Sequence, residues 1–311
     1  MIVRIKLSTF VIIILLFLSC AGNPPGNNRG TEPFVSTGGG VAGLLSEYCP
    51  SLKGTPGDTA VYVLDSGTPG ASMLLVGGTH GNEIAGIRAA ELFLDLAHVE
   101  SGRVFVIPRL NNSGVSAGIR LVQAEDQNRS DPAWYTPPEG TARYDGIEQR
   151  NIHRSYPGTE QAGLAQKVAL AVMNLLVREN IDIAIDMHEA RPSSDLAWTI
   201  VSNPRNVHIA ALAVLDLEEK NILMHLDVSP PEMDGLSHKE WGNRTQAMAF
   251  LVETVNPAQA DNPSIDELND PRYALNRRAA IHLETVRTIV SLSNEALPLP
   301  LVLSGIPEYS Q

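Results

Sequence analysis

Short apolar runs rich in branched residues recur along the chain at 60–64 (AVYVL), 72–76 (SMLLV), 103–107 (RVFVI), 181–186 (IDIAID), 197–201 (AWTIV) and 247–252 (AMAFLV). Each has the length and composition of a buried strand. Periodic segments lie between them. Residues 83–98 carry apolar positions on one side, and 163–178 repeats them at Leu164, Val168, Val172, Leu175 and Leu176. Residues 206–220 and 271–292 read as further helices, the last with Asp270 as N-cap and Pro271 in its first turn. Strands alternating with helices predict an α/β fold of three layers (αβα), a mixed, mostly parallel sheet flanked by helices. Ligands on such sheets bind beyond the strand ends, where the loops gather. His80 follows the 72–76 run, His188 follows 181–186, and Glu253 closes 247–252.

The N-terminus departs from this pattern. Arg4 and Lys6 precede an unbroken apolar run at 10–18 (FVIIILLFL). That run is shorter than the roughly 20 residues a membrane-spanning helix needs and reads as the core of a secretory signal. It stops at 18–22 (LSCAG), which resembles the lipobox of a bacterial lipoprotein with Cys20 as the lipidated residue, although Phe17 stands where that pattern usually has Leu. The alternative is an ordinary cleaved signal and a secreted protein. Residues 22–40, rich in Gly, Pro and Asn, cannot bury enough surface to offset their ordering entropy and read as a tether. The expected organisation is therefore a signal over 1–20, a tether over 21–45, a catalytic domain over 46–297 and a tail over 298–311. The expected location is the bacterial cell envelope, periplasmic or on the outer face, held to the membrane by the N-terminal lipid. Besides Cys20 only Cys49 remains, so no internal disulfide framework is expected.

Charge narrows the choice of partner. The net charge of −12 becomes −14 once Arg4 and Lys6 leave with the signal, 21 basic against 35 acidic residues. Such a surface offers no basic patch to displace counterions, which argues against nucleic acid.

The chemistry sits in three separated segments: GGTHGNE at 77–83, DMHEA at 186–190 and FLVET at 250–254. His80 and Glu83 are three apart, which puts both side chains on one side of a first helical turn. Gly77, Gly78 and Gly81 let the backbone bend sharply there. Asp186 lies two residues before His188, on the same face of a strand, where it can accept a hydrogen bond from a ligating imidazole. Two imidazoles and one carboxylate are the set that holds a catalytic zinc with an open position, and a further carboxylate, Glu253, is what an attacking water needs as proton acceptor.

With these segments the chain resembles the zinc carboxypeptidase superfamily, and within it the succinylglutamate desuccinylase/aspartoacylase-like branch. IPRLNNSG at 107–114 resembles the segment IPxxNPDG, and RNIHRSYPG at 150–158 resembles D-x-N-R-x-F-P-G, all in the family's order. The resemblance implies one Zn2+ per chain held by His80, Glu83 and His188, with Glu253 as the catalytic base. It implies that Arg154 grips a substrate carboxylate, paired with the position that here is His153 instead of asparagine. A second arginine near the scissile carbonyl falls on Arg120, Arg129 or Arg143. Two irregular stretches, 124–146 and 228–243, read as loops shaping the mouth of the site.

The expected activity is zinc-dependent hydrolysis of amide bonds, of deacylase or carboxypeptidase type, on an N-acyl amino acid or a peptide. A cell-wall peptide carboxypeptidase or amidase, an ester-cleaving deacylase and a non-catalytic binding lipoprotein are the alternatives. The lipoprotein reading predicts that Cys20→Ser abolishes partition into detergent; a variant that partitions like the parent contradicts it.

Overall fold

The computed structural model describes residues 41–129, 146–231, 233–260 and 263–309. Cys20, the signal over 1–20 and Arg143 lie outside the described residues, as does the side chain of Arg129. The strands are β1 (Val41–Leu44), β2 (Ala60–Asp65), β3 (Ser72–Gly77), β4 (His98–Ser101), β5 (Arg103–Ile107), β6 (Ile183–Ala190), β7 (Thr199–Ser202), β8 (His225–Val228), β9 (Met248–Val255) and β10 (Val302–Ser304). The helices are α1 (Ile84–Leu96), α2 (Asn112–Ala117), α3 (Ala124–Arg129), α4 (Leu164–Arg178), α5 (Val207–Glu219), α6 (Ser237–Arg244), α7 (Ile265–Asn269) and α8 (Leu275–Ser293).

Eight strands form one mixed sheet in the order β1-β2-β5-β3-β6-β9-β7-β8. Its centre is parallel, because β3 pairs with both β5 and β6, and β6 with β9, all in one direction. Alternation along the central strands builds the two outer layers. Met73, Leu75, Ile183, Ile185, Met187, Phe250 and Val252 face one way and pack with α1, α5 and α8. Leu74, Val76, Ala184 and Ala249 face the other way, against α4 and Trp241 of α6. Asp186 and His188 share parity with Ala184, and Glu253 with Ala249, so all three fall on the α4–α6 side.

The two strands that carry the site run further than their apolar content predicts. The β6–β9 ladder continues through His188↔Glu253 to Ala190↔Val255, and every residue of both strands is buried. The apolar runs stop at Asp186 and Val252; the backbone ladder does not, and His188, Glu189 and Thr254 beyond them find side-chain partners. His188 and Glu253 are therefore in-strand neighbours.

Four boundaries differ from the sequence reading. β1 pairs with β2 at 41–44 and Leu45 is fully buried, so the folded part begins inside the stretch 21–45 assigned to a tether. At the other end β10 pairs with β4 and Leu301 and Ile306 are buried, so part of the stretch assigned to a tail packs against the domain. Asp270 caps a separate 3-10 turn at Pro271–Tyr273 by accepting from Arg272 N at 2.8 Å, and α8 starts after it. The stretch 228–243 is only half loop: α6 fills its second part. Lys239 there is buried and donates to the carbonyl oxygens of Pro230, Pro231 and Met233, which ties the loop down.

One buried ion pair joins the layers behind the site. The Glu189 side chain points to the α8 side, where Arg278 donates to it, and neither is more than 6% exposed. Glu189 Oε2 also accepts from Ala85 N at the start of α1 and from Asn256 Nδ2. Removing one partner of such a pair strands a buried charge, at a cost of roughly 3–5 kcal/mol. Arg278→Met should lower the free energy of unfolding by about that amount in urea, and adding Glu189→Met should recover part of it; a loss below about 1 kcal/mol in the single variant contradicts this assignment.

Candidate metal centre

The 77–83 loop is shaped by backbone contact. Gly78 has φ +69, and a Cβ there would stand 3.1 Å from Pro108 O. Gly86 in α1 packs directly on β6, where a Cβ would meet Met187 O at 2.4 Å. Leu110 N and Asn111 N donate to the carbonyls of Gly77 and Gly78, and Gly81 N donates to Arg120 O. The loop is thus held at the end of β3, with Glu83 as the N-cap residue of α1.

Three donors converge there. His80 Nδ1 lies 2.7 Å from Glu83 Oε1, His188 Nδ1 lies 2.9 Å from Glu83 Oε2, and the two ring nitrogens are 3.2 Å apart. All three residues are buried. Their partners fix which nitrogens face inward. Asn151 Nδ2 donates to Glu148 Oε2 at 2.8 Å, so its Oδ1 accepts from His80 Nε2–H at 3.0 Å and leaves Nδ1 to the cluster. His188 Nε2 sits 2.9 Å from Asp186 Oδ2, an ion-pair distance with the carboxylate off the N–H axis. Asp186 is held in turn by Thr79 Oγ1 at 2.7 Å and Ser237 Oγ at 2.6 Å. Ser237 opens α6, whose N-terminal end favours that negative charge.

Two ring nitrogens and a carboxylate pointing at one another need a positive charge between them. Burial depresses the His80 pKa, and although Glu83 opposes this, the ring is held below its ordinary value and is neutral. Burial also acts against charge on His188, but Asp186 and Glu83 outweigh it and hold that imidazole well above its ordinary pKa. Burial works against ionised Glu83 too, yet the charges of His188 and Arg120 keep it well below the usual carboxylate range. A proton on His188 is one cation that satisfies the cluster; a divalent metal is the other. Donors about 2.0–2.1 Å from a tetrahedral zinc are spaced about 3.3 Å, close to the observed spacing of the ring nitrogens. The donor set fits zinc.

Glu253 is the registered neighbour of His188 across the ladder and is buried, with Oε2 lacking a partner among the described residues. Burial, helped by the charge of Glu83, pushes its pKa up to about 8. A bound divalent cation works in the opposite direction and favours the carboxylate. Arg120 reaches the same cluster, its Nη1 2.5 Å from Glu83 Oε1 with the side chain 45% exposed, so one of the three candidate arginines stands at the site.

The two residues expected to bind substrate are placed differently from one another. His153 borders the cluster, with its ring centroid 4.9 Å from that of His188 and 5.9 Å from that of His80. Burial, then the charge of His188, holds its pKa well below the ordinary value. Arg154 faces Glu148, Nη1 to Oε2 3.3 Å. His238 is buried and stacked on His153, and its Nε2 pairs with Ser229 Oγ at 2.8 Å.

Sequence reasoning missed Asn151, Thr79 and Ser237 as orienting groups. Asn151 carried a signal: it occupies the first position of the D-x-N-R pattern, two residues before His153. Thr79 had none beyond adjacency to His80, and Ser237 none at all, because only the tertiary fold brings α6 against β6.

Comparison with known proteins agrees with this geometry. Residues 69–258 match the family model of the succinylglutamate desuccinylase/aspartoacylase catalytic domain. A curated relative, N-alpha-acetyl-L-2,4-diaminobutyric acid deacetylase of Halomonas elongata, is 28% identical over 129 residues, 41% of this chain and 31% of that protein. A metallo-carboxypeptidase from Burkholderia cenocepacia superposes with TM-score 0.57 at 12% identity, over 83% of this chain and 66% of the other. The cell shape determinant Csd4 of Helicobacter pylori, with tripeptide bound, superposes with TM-score 0.54 at 15% identity, over 79% and 56%. The chain thus spans only part of each relative's length, but the matched region holds His80, Glu83, His188 and Glu253 and exceeds half of this sequence. The chain belongs to the succinylglutamate desuccinylase/aspartoacylase family.

Proposed function

We propose that this protein is a zinc-dependent amide hydrolase that removes an acyl group from a small N-acylated amine or amino acid. The observation that carries this reading is the convergence of His80, Glu83 and His188 at the ends of parallel strands beside Glu253, whose buried Oε2 has no partner among the described residues. His80 and His188 through Nδ1 and Glu83 through its carboxylate would hold the ion. Zinc there supplies Lewis acidity, which polarises a carbonyl and makes water a nucleophile near neutral pH.

The protein's own groups do the rest. Asp186 and Asn151 hold the two imidazoles in the orientation that turns Nδ1 inward. Glu253 accepts the proton of the attacking water and returns it to the leaving nitrogen. Arg120, half exposed at the rim, offers a guanidinium to the oxygen on which negative charge develops. The deacetylase activity named for the Halomonas relative supports acyl removal over peptide trimming.

Purified protein should bind about one equivalent of zinc. His188→Ala should lose it, whereas Glu253→Gln should keep it and lower kcat ~10²–10⁴-fold with little change in KM, because glutamine keeps the shape but cannot take the proton. Full zinc occupancy in His188→Ala contradicts the ligand set. Turnover of Glu253→Gln within a few-fold of the parent removes Glu253 from the chemistry.

A further inference from the structure

The tautomer of His153 is set by its neighbours. Asp186 Oδ2 takes the only hydrogen of Ser237 Oγ, at 2.6 Å. Ser237 Oγ can then only accept from His153 Nδ1, which stands 3.0 Å away. The proton of the neutral ring therefore sits on Nδ1, and Nε2 carries a lone pair. Nε2 makes no hydrogen bond among the described residues, and 13% of the side chain is exposed. The asparagine expected at this position would offer an N–H instead. Arg154 next to it already faces Glu148. His153 is thus not arranged to receive a carboxylate.

We propose that His153, held by Ser237 and Asp186, presents a hydrogen-bond acceptor to the substrate and selects a hydroxyl or amide N–H there over a free carboxylate. This rests on the reading that the site at His80, Glu83 and His188 acts on an acylated substrate. Two consequences follow from the chemistry. A carboxylate placed against Nε2 meets lone pair with lone pair and has no donor to compensate. A carboxamide or hydroxyl at the same place donates to the ring and completes a chain of hydrogen bonds ending at Asp186.

Ring-nitrogen NMR of full-length, histidine-labelled protein reads the tautomer without any need for turnover. Binding of a matched pair, N-acetylmethionine and N-acetylmethioninamide, to the zinc-loaded protein reads the preference. The expected results are an Nδ1–H tautomer at His153 and at least tenfold tighter binding of the carboxamide. His153→Asn should bring the ratio to unity or reverse it, and Ser237→Ala should weaken it while Ser237→Thr restores it. An Nε2–H tautomer overturns the proposal, as does a parent protein that binds the carboxylate as well as or better than the carboxamide. Failure of the broader reading shows elsewhere, in zinc content and in hydrolysis of N-acyl compounds, neither of which sets the tautomer.

Discussion

Everything around this site depends on one electrostatic constraint: His80 Nδ1, His188 Nδ1 and the Glu83 carboxylate are forced within about 3 Å of one another, out of contact with water. Such a cluster is stable only around a positive charge, because buried polar groups without a partner are costly and like-facing lone pairs repel. The surrounding groups make sense as devices that enforce the convergence. Asn151 and Asp186 occupy the outer ring nitrogens, Glu189 N donates to Glu83 Oε2, and Arg120 balances the carboxylate from the rim. Behind them Glu189 and Arg278 tie β6 to α8, and Glu189 anchors the start of α1. The orientation of the donors is therefore a property of the packed core rather than of a flexible loop.

The architecture supplies that packing by parity. In β6 the sequence Ile183-Ala184-Ile185-Asp186-Met187-His188 alternates between two faces, with the larger apolar residues committed to the α1–α5–α8 side. The opposite face carries Ala184 and then the chemistry. A shift of one residue in register would bury Met187 at the site and expel His188, so the apolar face of the strand specifies the position of the ligand.

Much of this was legible in the sequence because apolar periodicity and short local spacings survive without tertiary information. The strands at 72–76 and 103–107, the helix at 163–178 and the pairing of His80 with Glu83 are all of that kind. What was not legible depends on long-range contact. The full length of β6 and β9 was hidden because the backbone ladder continues through His188↔Glu253 past the apolar residues that mark each strand. The strand at 41–44 hides in a Gly-rich stretch, and β10 in a Pro-rich one, because each is defined by its partner strand rather than by its own composition. Ser237 is invisible for the same reason: its meaning comes from Asp186, 51 residues away. His153 was visible as a departure from the family pattern, but its consequence lay in the hydrogen bond that fixes its tautomer.

The central claim is that the cluster is a zinc site made of two imidazoles and one carboxylate. Zinc K-edge X-ray absorption on the full-length protein loaded with one equivalent tests it most directly, since the spectrum counts imidazole rings and distinguishes nitrogen and oxygen from sulfur at the metal. The account predicts two imidazoles, with the remaining scatterers being oxygen at about 2.0–2.2 Å and no sulfur. A sulfur shell near 2.3 Å, or an imidazole count other than two, would contradict it.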